Sequence, residues 1–298
     1  MVRDTLSLSK ARSLSFGPLP GVMAILNVTP DSFSDGGRFT SAEAAAEEGA
    51  RYADIGAAIV DIGGESTRPK GRTYGEGAGE ISSDEEEKRV LPVLSLLRSM
   101  RPSLALSVDT RRASVARAAL DAGADVVNVV TGLDVPADLL ELVASRGAAI
   151  VLNHCRGMPS TTFEESSFSD VVSEVTADLR AARARAISAG ISEQRIFLDP
   201  GFGFGKTPDQ NFALLGALDR LAPPSVPLVV GASRKAFLGA VSGALVNDRL
   251  PESLAAVAAS AAAARTRPVL VRVHDVAETV RFLAVLAKAD GAGSRRVT

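Results

Sequence analysis

One unit repeats along most of this chain: a short aliphatic run, a polar or glycine-rich loop, and a segment with the apolar spacing of an amphipathic helix. The eight aliphatic runs are 22–26, 58–62, 104–108, 126–130, 148–152, 195–198, 228–230 and 269–273. Their residues are apolar at successive positions, which is typical of strands buried on both faces in a parallel sheet. The repeat therefore restricts the chain to the α/β class.

Alternating strands and helices form right-handed βαβ units, and eight such units predict a (β/α)8 TIM barrel over residues 22–289. A doubly wound sheet is the structural alternative. Residues 6–16 alternate leucine or phenylalanine with serine, which predicts an N-terminal β-hairpin within residues 1–20. We expect one domain over residues 1–298. The predicted helices are 41–56, 84–100, 112–122, 137–145, 169–189, 210–221, 251–264 and 276–289.

Composition limits the possible partners and compartments. The net charge of −2 gives no indication of a nucleic-acid or membrane-surface partner, so an anionic substrate would need a local cluster of cations. The single cysteine, Cys155, excludes an internal disulfide framework and fits a reducing cytoplasm. Residues 1–20 lack a long apolar core, so we expect no secretory signal and a mature start near Met1. No apolar segment has the roughly 20 residues that cross a bilayer.

The carboxyl end of every predicted strand carries polar residues. They are Asn27, Asp61, Asp109, Asn128, Asn153 with His154, Asp199, Ser233 with Lys235, and Arg272 with His274. Any one of them has an alternative role as the cap of the next helix. In a barrel all eight strand ends meet at one rim, where such folds place their active sites. We therefore expect one site built from these residues.

Two long loops border this expected site. Residues 27–37 are polar with one aromatic, Phe33, and residues 63–83 are rich in glycine and charge. The guanidinium of Arg68 has a planar fork that suits phosphate or carboxylate. A solvated surface loop is the alternative in both cases. We expect both loops to act as lids that exclude water.

Three strand-end residues have the chemistry to recognise a flat heterocycle. The carboxylates of Asp109 and Asp199 accept hydrogen bonds, and the amide of Asn128 both donates and accepts. Together they match the pyrimidine edge of a pterin or a purine. The glycine-rich turn at 201–205 would shape the pocket beside Asp199. For Asp109 alone, a helix cap is the alternative.

Three cations at the same rim, Lys235, Arg272 and His274, predict a phosphate or pyrophosphate site. A lysine that merely begins a helix is the alternative for Lys235. Lys206 follows the glycine-rich turn, but only three residues separate Gly201 from Gly205, so a nucleotide P-loop is not expected. We expect Lys235, rather than Lys206, to act in catalysis. The sequence has no Cys/His spacing that supports a structural zinc.

Taken together, the motifs at 25–37, 61–69, 107–110, 198–206, 233–235 and 272–276 closely resemble those of the dihydropteroate synthase family. The match runs in order from about Val22 to Ala289. The resemblance implies a TIM-barrel enzyme, usually a homodimer. It would join p-aminobenzoate to 6-hydroxymethyl-7,8-dihydropterin pyrophosphate, giving 7,8-dihydropteroate and pyrophosphate for folate biosynthesis. It also implies a need for Mg²⁺ and competition by sulfonamides at the p-aminobenzoate site.

The resemblance also implies a role for each matching residue. The pterin would contact Asp109, Asn128, Asp199 and Lys235. The pyrophosphate would contact Asn27, Arg68, Arg272 and His274, with Asn27 also at the metal. The p-aminobenzoate site would be lined by Thr67, Pro69, Phe33, Phe204 and Ser233. Catalysis would depend on Lys235, Arg68, Asp35 and Phe33.

The chain departs from the family pattern in several places. Val129 stands where aspartate is usual, residues 153–155 read Asn-His-Cys where Met-His-Met is common, and residues 70–79 lengthen the second loop. These departures motivate one alternative, a non-catalytic pterin-binding paralogue. A folate-dependent methyltransferase domain is another. The loop around Arg68 and the element Ser233 to Lys235 favour the synthase.

Overall fold

Eight parallel strands close into a barrel in the computed structural model, which describes residues 5–9, 12–29, 41–65, 81–130, 134–156 and 167–290. Each strand pairs with the next along the chain, and the last pairs with the first. The barrel strands are β3 (Gly21–Asn27), β4 (Ile59–Gly63), β5 (Ala105–Asp109), β6 (Val126–Val129), β7 (Ala149–Asn153), β8 (Ile196–Asp199), β9 (Leu228–Val230) and β10 (Val269–Val273). The predicted TIM barrel is confirmed, and the doubly wound alternative is wrong.

Nine helices of the described residues surround the barrel. They are α1 (Ala42–Ile55), α2 (Ser83–Met100), α3 (Ala113–Asp121), α4 (Ala137–Arg146), α5 (Val171–Ser188), α6 (Pro208–Leu215), α7 (Ala236–Ser242), α8 (Leu250–Ala264) and α9 (Val276–Ala289). Local sequence explains several of their ends. The Ser41 hydroxyl accepts from the Ala44 amide at 3.2 Å and so caps α1. Thr207 and Gln210 form a reciprocal capping box at the start of α6.

Two predictions for helices differ from the structure. The helix expected over 210–221 ends at Leu215, and residues 216–220 form turns. Gly216 lies at that end, where its low helix propensity favours termination. The short helix α7 was not predicted, because its seven residues span only two turns and show little periodicity. No helix of the described residues is long and apolar enough to cross a membrane.

The apolar residues form two separate cores. The larger core lies between the barrel and the helices. It contains the strand side chains that point outward from the barrel, such as those of Leu26, Val108 and Ile150. The smaller core fills the barrel interior and includes Met23 and Phe197. Because successive strand residues point to opposite faces, a continuous aliphatic run supplies both cores.

The predicted N-terminal hairpin is confirmed. Its strands are β1 (Thr5–Ser7) and β2 (Ser13–Ser15), paired antiparallel with Leu6 opposite Leu14. The apolar side chains of the hairpin belong to the inner core. Asp125, one residue before β6, binds the hairpin through Ser9 at 2.8 Å and Arg12 at 2.7 Å. The hairpin thus closes the end of the barrel where the strands begin.

Candidate active site

The carboxyl ends of the barrel strands meet at the rim opposite the hairpin, because all eight strands are parallel. Four strands end directly at a polar residue of the predicted site: β3 at Asn27, β5 at Asp109, β7 at Asn153 and β8 at Asp199. Asn128 lies in β6 and Arg272 in β10, each one residue before the strand ends. The closed barrel therefore gathers residues that are far apart in sequence.

Arg272 lies between two carboxylates in the barrel mouth. Its Nε donates to Asp61 at 2.7 Å, and its Nη2 donates to Asp109 at 2.7 Å. Burial alone would lower the pKa of Arg272, but these carboxylates outweigh it and raise that pKa. Burial also raises the pKa of Asp109, although Arg272 opposes the shift. The two carboxylates, Asp61 and Asp109, keep the guanidinium of Arg272 charged and directed into the site.

Asp61 joins this network although no role was predicted for it. Its carboxylate also accepts from the Asn128 amide at 3.0 Å and is 0% exposed. It thereby orients two predicted ligand residues, Asn128 and Arg272. The only signal in the sequence was its position at the end of an aliphatic run, which it shares with the other strand-end residues.

Asn27 in β3 and Asp109 in β5 lie close to each other on either side of β4. A Cβ atom added to Gly63 would lie 3.5 Å from Asn27 Oδ1 and 3.9 Å from Asp109 Oδ2. The amide oxygen and the carboxylate therefore flank the same glycine, each at ordinary van der Waals distance from an added Cβ.

Asp199 and Lys235 form the second charged pair of the site. Asp199 accepts from the Gly201 amide at 2.7 Å, and burial raises the pKa of its carboxyl, against the effect of Lys235. Burial lowers the pKa of Lys235 to about 8, while the Asp199 carboxylate opposes that shift. The Lys235 ammonium also donates to the Phe202 carbonyl. The lysine therefore interacts electrostatically with the carboxylate and is hydrogen-bonded to the glycine-rich turn.

The glycine-rich turn places one aromatic ring in the site and one in the core. Phe204 is partly exposed and its ring centroid lies 4.4 Å from Lys235 Nζ, a cation–π distance. Phe202 is 0% exposed and stacks near Phe237. A Cβ added to Gly203 would lie 3.1 Å from the Lys235 stem, so this close approach favours glycine.

Ser233 and His274 form a third group at the rim. The Ser233 hydroxyl lies 3.1 Å from His274 Nδ1 and accepts from the His274 amide at 3.2 Å. Arg234 between Ser233 and Lys235 has a positive φ of 58° and forms an ion pair with Asp275. The ion pair holds the loop after β9 against the loop after β10. Each loop carries a predicted ligand residue.

A model of the pterin binding enzyme family matches residues 23–274 of the chain. The dihydropteroate synthase of Escherichia coli strain K12 is 41% identical to it over 268 residues, or 90% of each protein. This chain belongs to the dihydropteroate synthase family. A probable bifunctional folylpolyglutamate synthase/dihydropteroate synthase of Haloferax volcanii is 43% identical over 260 residues. The match covers 87% of this chain but only 29% of that longer relative.

Solved structures of a family member have the same fold. The dihydropteroate synthase of Xanthomonas albilineans with 4-aminobenzoic acid superposes with a TM-score of 0.84 at 40% identity, covering 98% of this chain and 100% of that one. The same enzyme in complex with 7,8-dihydropteroate gives a TM-score of 0.81 at 39% identity, covering 97% and 100%.

The departures from the dihydropteroate synthase pattern do not disturb the charged network. Val129 is 0% exposed and belongs to the core between the barrel and the helices. Cys155 is buried, and burial raises the pKa of its thiol to about 11. The Asn153 side chain is also buried and hydrogen-bonds to Asp199, which partly opposes the burial that raises the pKa of that carboxyl. Asn153 thus contacts a predicted pterin ligand.

Several predicted site residues of this dihydropteroate synthase family member lie outside the described residues. They are Phe33, Asp35, Thr67, Arg68 and Pro69. The same holds for most of both predicted lids. The roles implied for these residues, and for those at the rim, stay predictions.

Among the described residues, few could serve as ligands of a metal in this site. Within the described ranges there is no group of three or more His, Cys, Asp or Glu residues that suits a metal ion. The amide oxygen of Asn27 stands beside Asp109. This donor set fits Mg²⁺, which commonly binds through one or two protein oxygens, substrate phosphates and water.

Proposed function

We propose that this protein is a dihydropteroate synthase. It condenses p-aminobenzoate with 6-hydroxymethyl-7,8-dihydropterin pyrophosphate and releases 7,8-dihydropteroate and pyrophosphate. The main support is the buried charged network at the barrel mouth, in which Asp109, Asp199 and Asn128 converge with Lys235 and Arg272. The high coverage of single-function synthases of the family supports the same reaction.

The acceptors at the bottom of the site suit the pterin ring. A pterin presents ring N–H and amino groups, which need acceptors such as Asp109 and Asp199. Asn128 adds an amide that is already oriented by Asp61. Preorganised side chains lose little freedom when the ligand binds. We infer that these residues hold the ring and favour positive charge on it.

Pyrophosphate departs from the methylene carbon of the dihydropterin, so the C–O bond breaks and the electron pair leaves with the phosphate oxygen. Cations near that oxygen stabilise the departing charge. The recorded bonds of Arg272 use Nε and Nη2, which leaves Nη1 for a phosphate oxygen. His274 and Arg68 are the other cations that we assign to this group, and Asn27 would hold Mg²⁺, which supplies further charge neutralisation.

The amine of p-aminobenzoate then forms a C–N bond to the carbon and loses a proton. We infer that its ring lies against Phe204 and near Ser233, with Lys235 between this site and the pterin. The loop residues Thr67, Pro69 and Phe33 would complete the pocket, and Asp35 would act with Phe33 in catalysis. Holding both substrates in one geometry replaces a bimolecular encounter with a local step. Sulfonamides would compete for the p-aminobenzoate position.

The test is an assay of pyrophosphate release with the pterin pyrophosphate, p-aminobenzoate and Mg²⁺. Release that depends on p-aminobenzoate is the expected result. Tight pterin binding without release would instead indicate a non-catalytic paralogue, and methyl transfer from a folate would indicate the methyltransferase. Chelation of Mg²⁺ should abolish release and leave pterin binding measurable.

We further propose a homodimer in the cytoplasm. Val241, Leu245 and Val246 are 75%, 72% and 47% exposed on one short stretch after β9. Such neighbouring exposed apolar residues are typical of contact surfaces. A single cysteine in the chain, Cys155, fits a reducing compartment.

A further inference from the structure

Lys206 is buried directly behind the glycine-rich turn. Lys206 is only 3% exposed, and its ammonium donates to the carbonyls of Gly201 at 2.8 Å and Phe204 at 3.1 Å. It also donates to His154 Nδ1 at 3.1 Å and lies 3.5 Å from the His154 carbonyl oxygen. Burial lowers the pKa of Lys206 to about 7. Its ammonium form has three N–H donors and no acceptor, and the two turn carbonyls and His154 use this capacity in full.

His154 is held in the form that accepts this hydrogen bond. Its Nε2 lies 3.0 Å from an Asp178 carboxylate oxygen, which can only accept while ionised. Nε2 therefore carries the hydrogen and Nδ1 is left as an acceptor for Lys206. Burial, together with the nearby Lys206 charge, lowers the pKa of His154 and keeps the ring neutral. The chain of contacts runs from Asp178 through His154 to the lysine.

The glycine-rich turn that Lys206 binds has little conformational freedom. Gly201 has a φ of +71°, and a Cβ added to it would lie 1.8 Å from the His154 carbonyl oxygen. The Gly201 carbonyl also accepts from the Phe204 amide at 3.2 Å. The two carbonyls bound by Lys206 are therefore the two ends of the segment that carries Phe204.

Phe204 in turn stands at the candidate site, with its ring over Lys235. A buried ammonium is costly to desolvate, and a turn could be stabilised with an apolar side chain at lower cost. The charge at Lys206 lies one layer behind the ring and contacts only backbone carbonyls and His154 among its recorded hydrogen bonds. Its position is suited to fixing the turn and not to contacting a substrate.

We propose that Lys206 is a positioning residue that fixes the Gly201 to Phe204 turn, so that the Phe204 ring forms one wall of the p-aminobenzoate pocket. This inference rests on the proposed function. It predicts a larger effect on the second substrate, because only that substrate is expected to contact the Phe204 ring. Among the pterin ligands, Asp109 and Asn128 lie on other strands, whereas Asp199 and Lys235 contact the start of the turn, at the Gly201 amide and the Phe202 carbonyl.

The experiment compares steady-state kinetics of the wild type with Lys206→Met, which keeps the length of the side chain and removes all three donors. The KM for p-aminobenzoate should rise about tenfold or more, as expected for lost hydrogen bonds from a charged group. The KM for the pterin pyrophosphate should stay within about twofold. A purely structural role would instead reduce the active fraction, which lowers the apparent kcat and leaves both KM values unchanged.

Arg267→Met is the matched control. Arg267 is a buried cation that also donates to backbone carbonyls, those of Asp219 and Ala222, but it precedes β10 at the opposite end of the barrel. Its loss should reduce stability without a change in either KM. Lys206→Gln, which keeps two N–H donors, replaces the methionine variant if circular dichroism shows that the latter is unfolded, and a smaller rise in the same KM is expected.

An unchanged KM for p-aminobenzoate in a folded Lys206 variant would overturn the proposal, as would an equal rise in both KM values. The wild-type assay is done first and separates this result from the proposed function. If the wild type releases no pyrophosphate, the proposed function fails. If it does and the Lys206 variant binds p-aminobenzoate normally, only the role of Lys206 fails.

Discussion

Lys235 carries the charge that links the two halves of the candidate site. It is close to Asp199, donates to the Phe202 carbonyl and lies under the Phe204 ring. Burial lowers its pKa to about 8, so its positive charge is present below that pH and is lost as the pH rises through it. Lys235, which acts as a cation, therefore titrates close to neutral pH.

We predict that kcat/KM for the pterin pyrophosphate falls as the pH rises through about 8, because the Lys235 ammonium loses its proton. Measurement from pH 6 to 10 at saturating p-aminobenzoate tests this. Lys235→Arg stays charged over that range, so any activity it retains should lack the decline. Lys235→Ala should lose about a hundredfold in kcat/KM at neutral pH. An unchanged profile in an active Lys235→Arg enzyme would assign the decline to another group.

The glycine-rich turn depends on one residue for its path past β7. At Gly201 a side chain would meet the His154 carbonyl at 1.8 Å in addition to adopting a positive φ. Gly243, at the end of α7, has a similar φ of +76° but has no atom within 4 Å of an added Cβ. The two glycines therefore separate steric overlap from conformational strain.

Gly201→Ala is expected to destabilise the protein more than Gly243→Ala, because only the first adds a clash to the strain. It should also abolish most of the pyrophosphate release, since the turn holds Asp199 and Phe204. Urea unfolding and the release assay measure the two effects. Equal loss of stability in both variants would mean that the turn moves away from His154 at no cost.

The hairpin is attached to the barrel by one buried carboxylate. Asp125 is 1% exposed and accepts from Ser9, Arg12, Arg98 and the Leu106 amide. These partners come from the hairpin, α2 and β5. Its loss leaves two partly buried guanidinium groups without their carboxylate.

Asp125→Ala should lower the free energy of unfolding by about 3–5 kcal/mol, the range for removing one partner of a buried ion pair. Asp121→Ala is the control, because the Asp121 side chain is 55% exposed in its pair with Arg146. That surface pair should contribute at most about 1 kcal/mol. Denaturant unfolding of both variants decides the matter, and similar losses would refute the role of Asp125 as the attachment point.

The intact molecule has a net charge of only −2, although its candidate site binds two anions. Cations at the rim meet this need locally, so no basic surface is required. The exposed apolar residues Val241, Leu245 and Val246 lie at or just after the carboxyl end of α7, whereas Lys235 precedes the amino end of that helix. An interface there would adjoin the carboxyl end of α7.

We predict a solution mass of about twice the 30.8 kDa of one chain by light scattering. Leu245→Asp should convert the dimer to a monomer, because it places a charge on the apolar stretch. Val285→Asp is the matched control, since Val285 is 68% exposed on α9 and away from that stretch. A dimer that survives Leu245→Asp would exclude this surface as the interface.

The sequence predicted the barrel because its signal is local and repeated. Each of the eight strands is marked by a continuous aliphatic run, and each strand end carries a polar residue. The hairpin followed from strict alternation in 6–16. The end of α6 was misplaced, since apolar spacing continued through 216–220 where the chain forms turns. Element type is thus more predictable than element boundaries.

The hydrogen-bond partners of the polar residues could not be predicted from the sequence. Asp61 and Arg272 are 211 positions apart, and Lys206 and His154 are 52 positions apart. Local patterns carry no information on such pairs. Lys206 in particular resembled part of a phosphate loop and then an unimportant cation, whereas its burial gives it three specific acceptors.

The order of strands and helices, and the rim at which the polar residues collect, follow from the sequence alone, because hydrophobic periodicity and parallel strand direction are local properties. The pairing of Arg272 with Asp61 and Asp109, and the seat of Lys206 behind its turn, were decided only by the closed barrel. Closure excludes water from those side chains, and a buried charge must then take the partner that the opposite strand supplies.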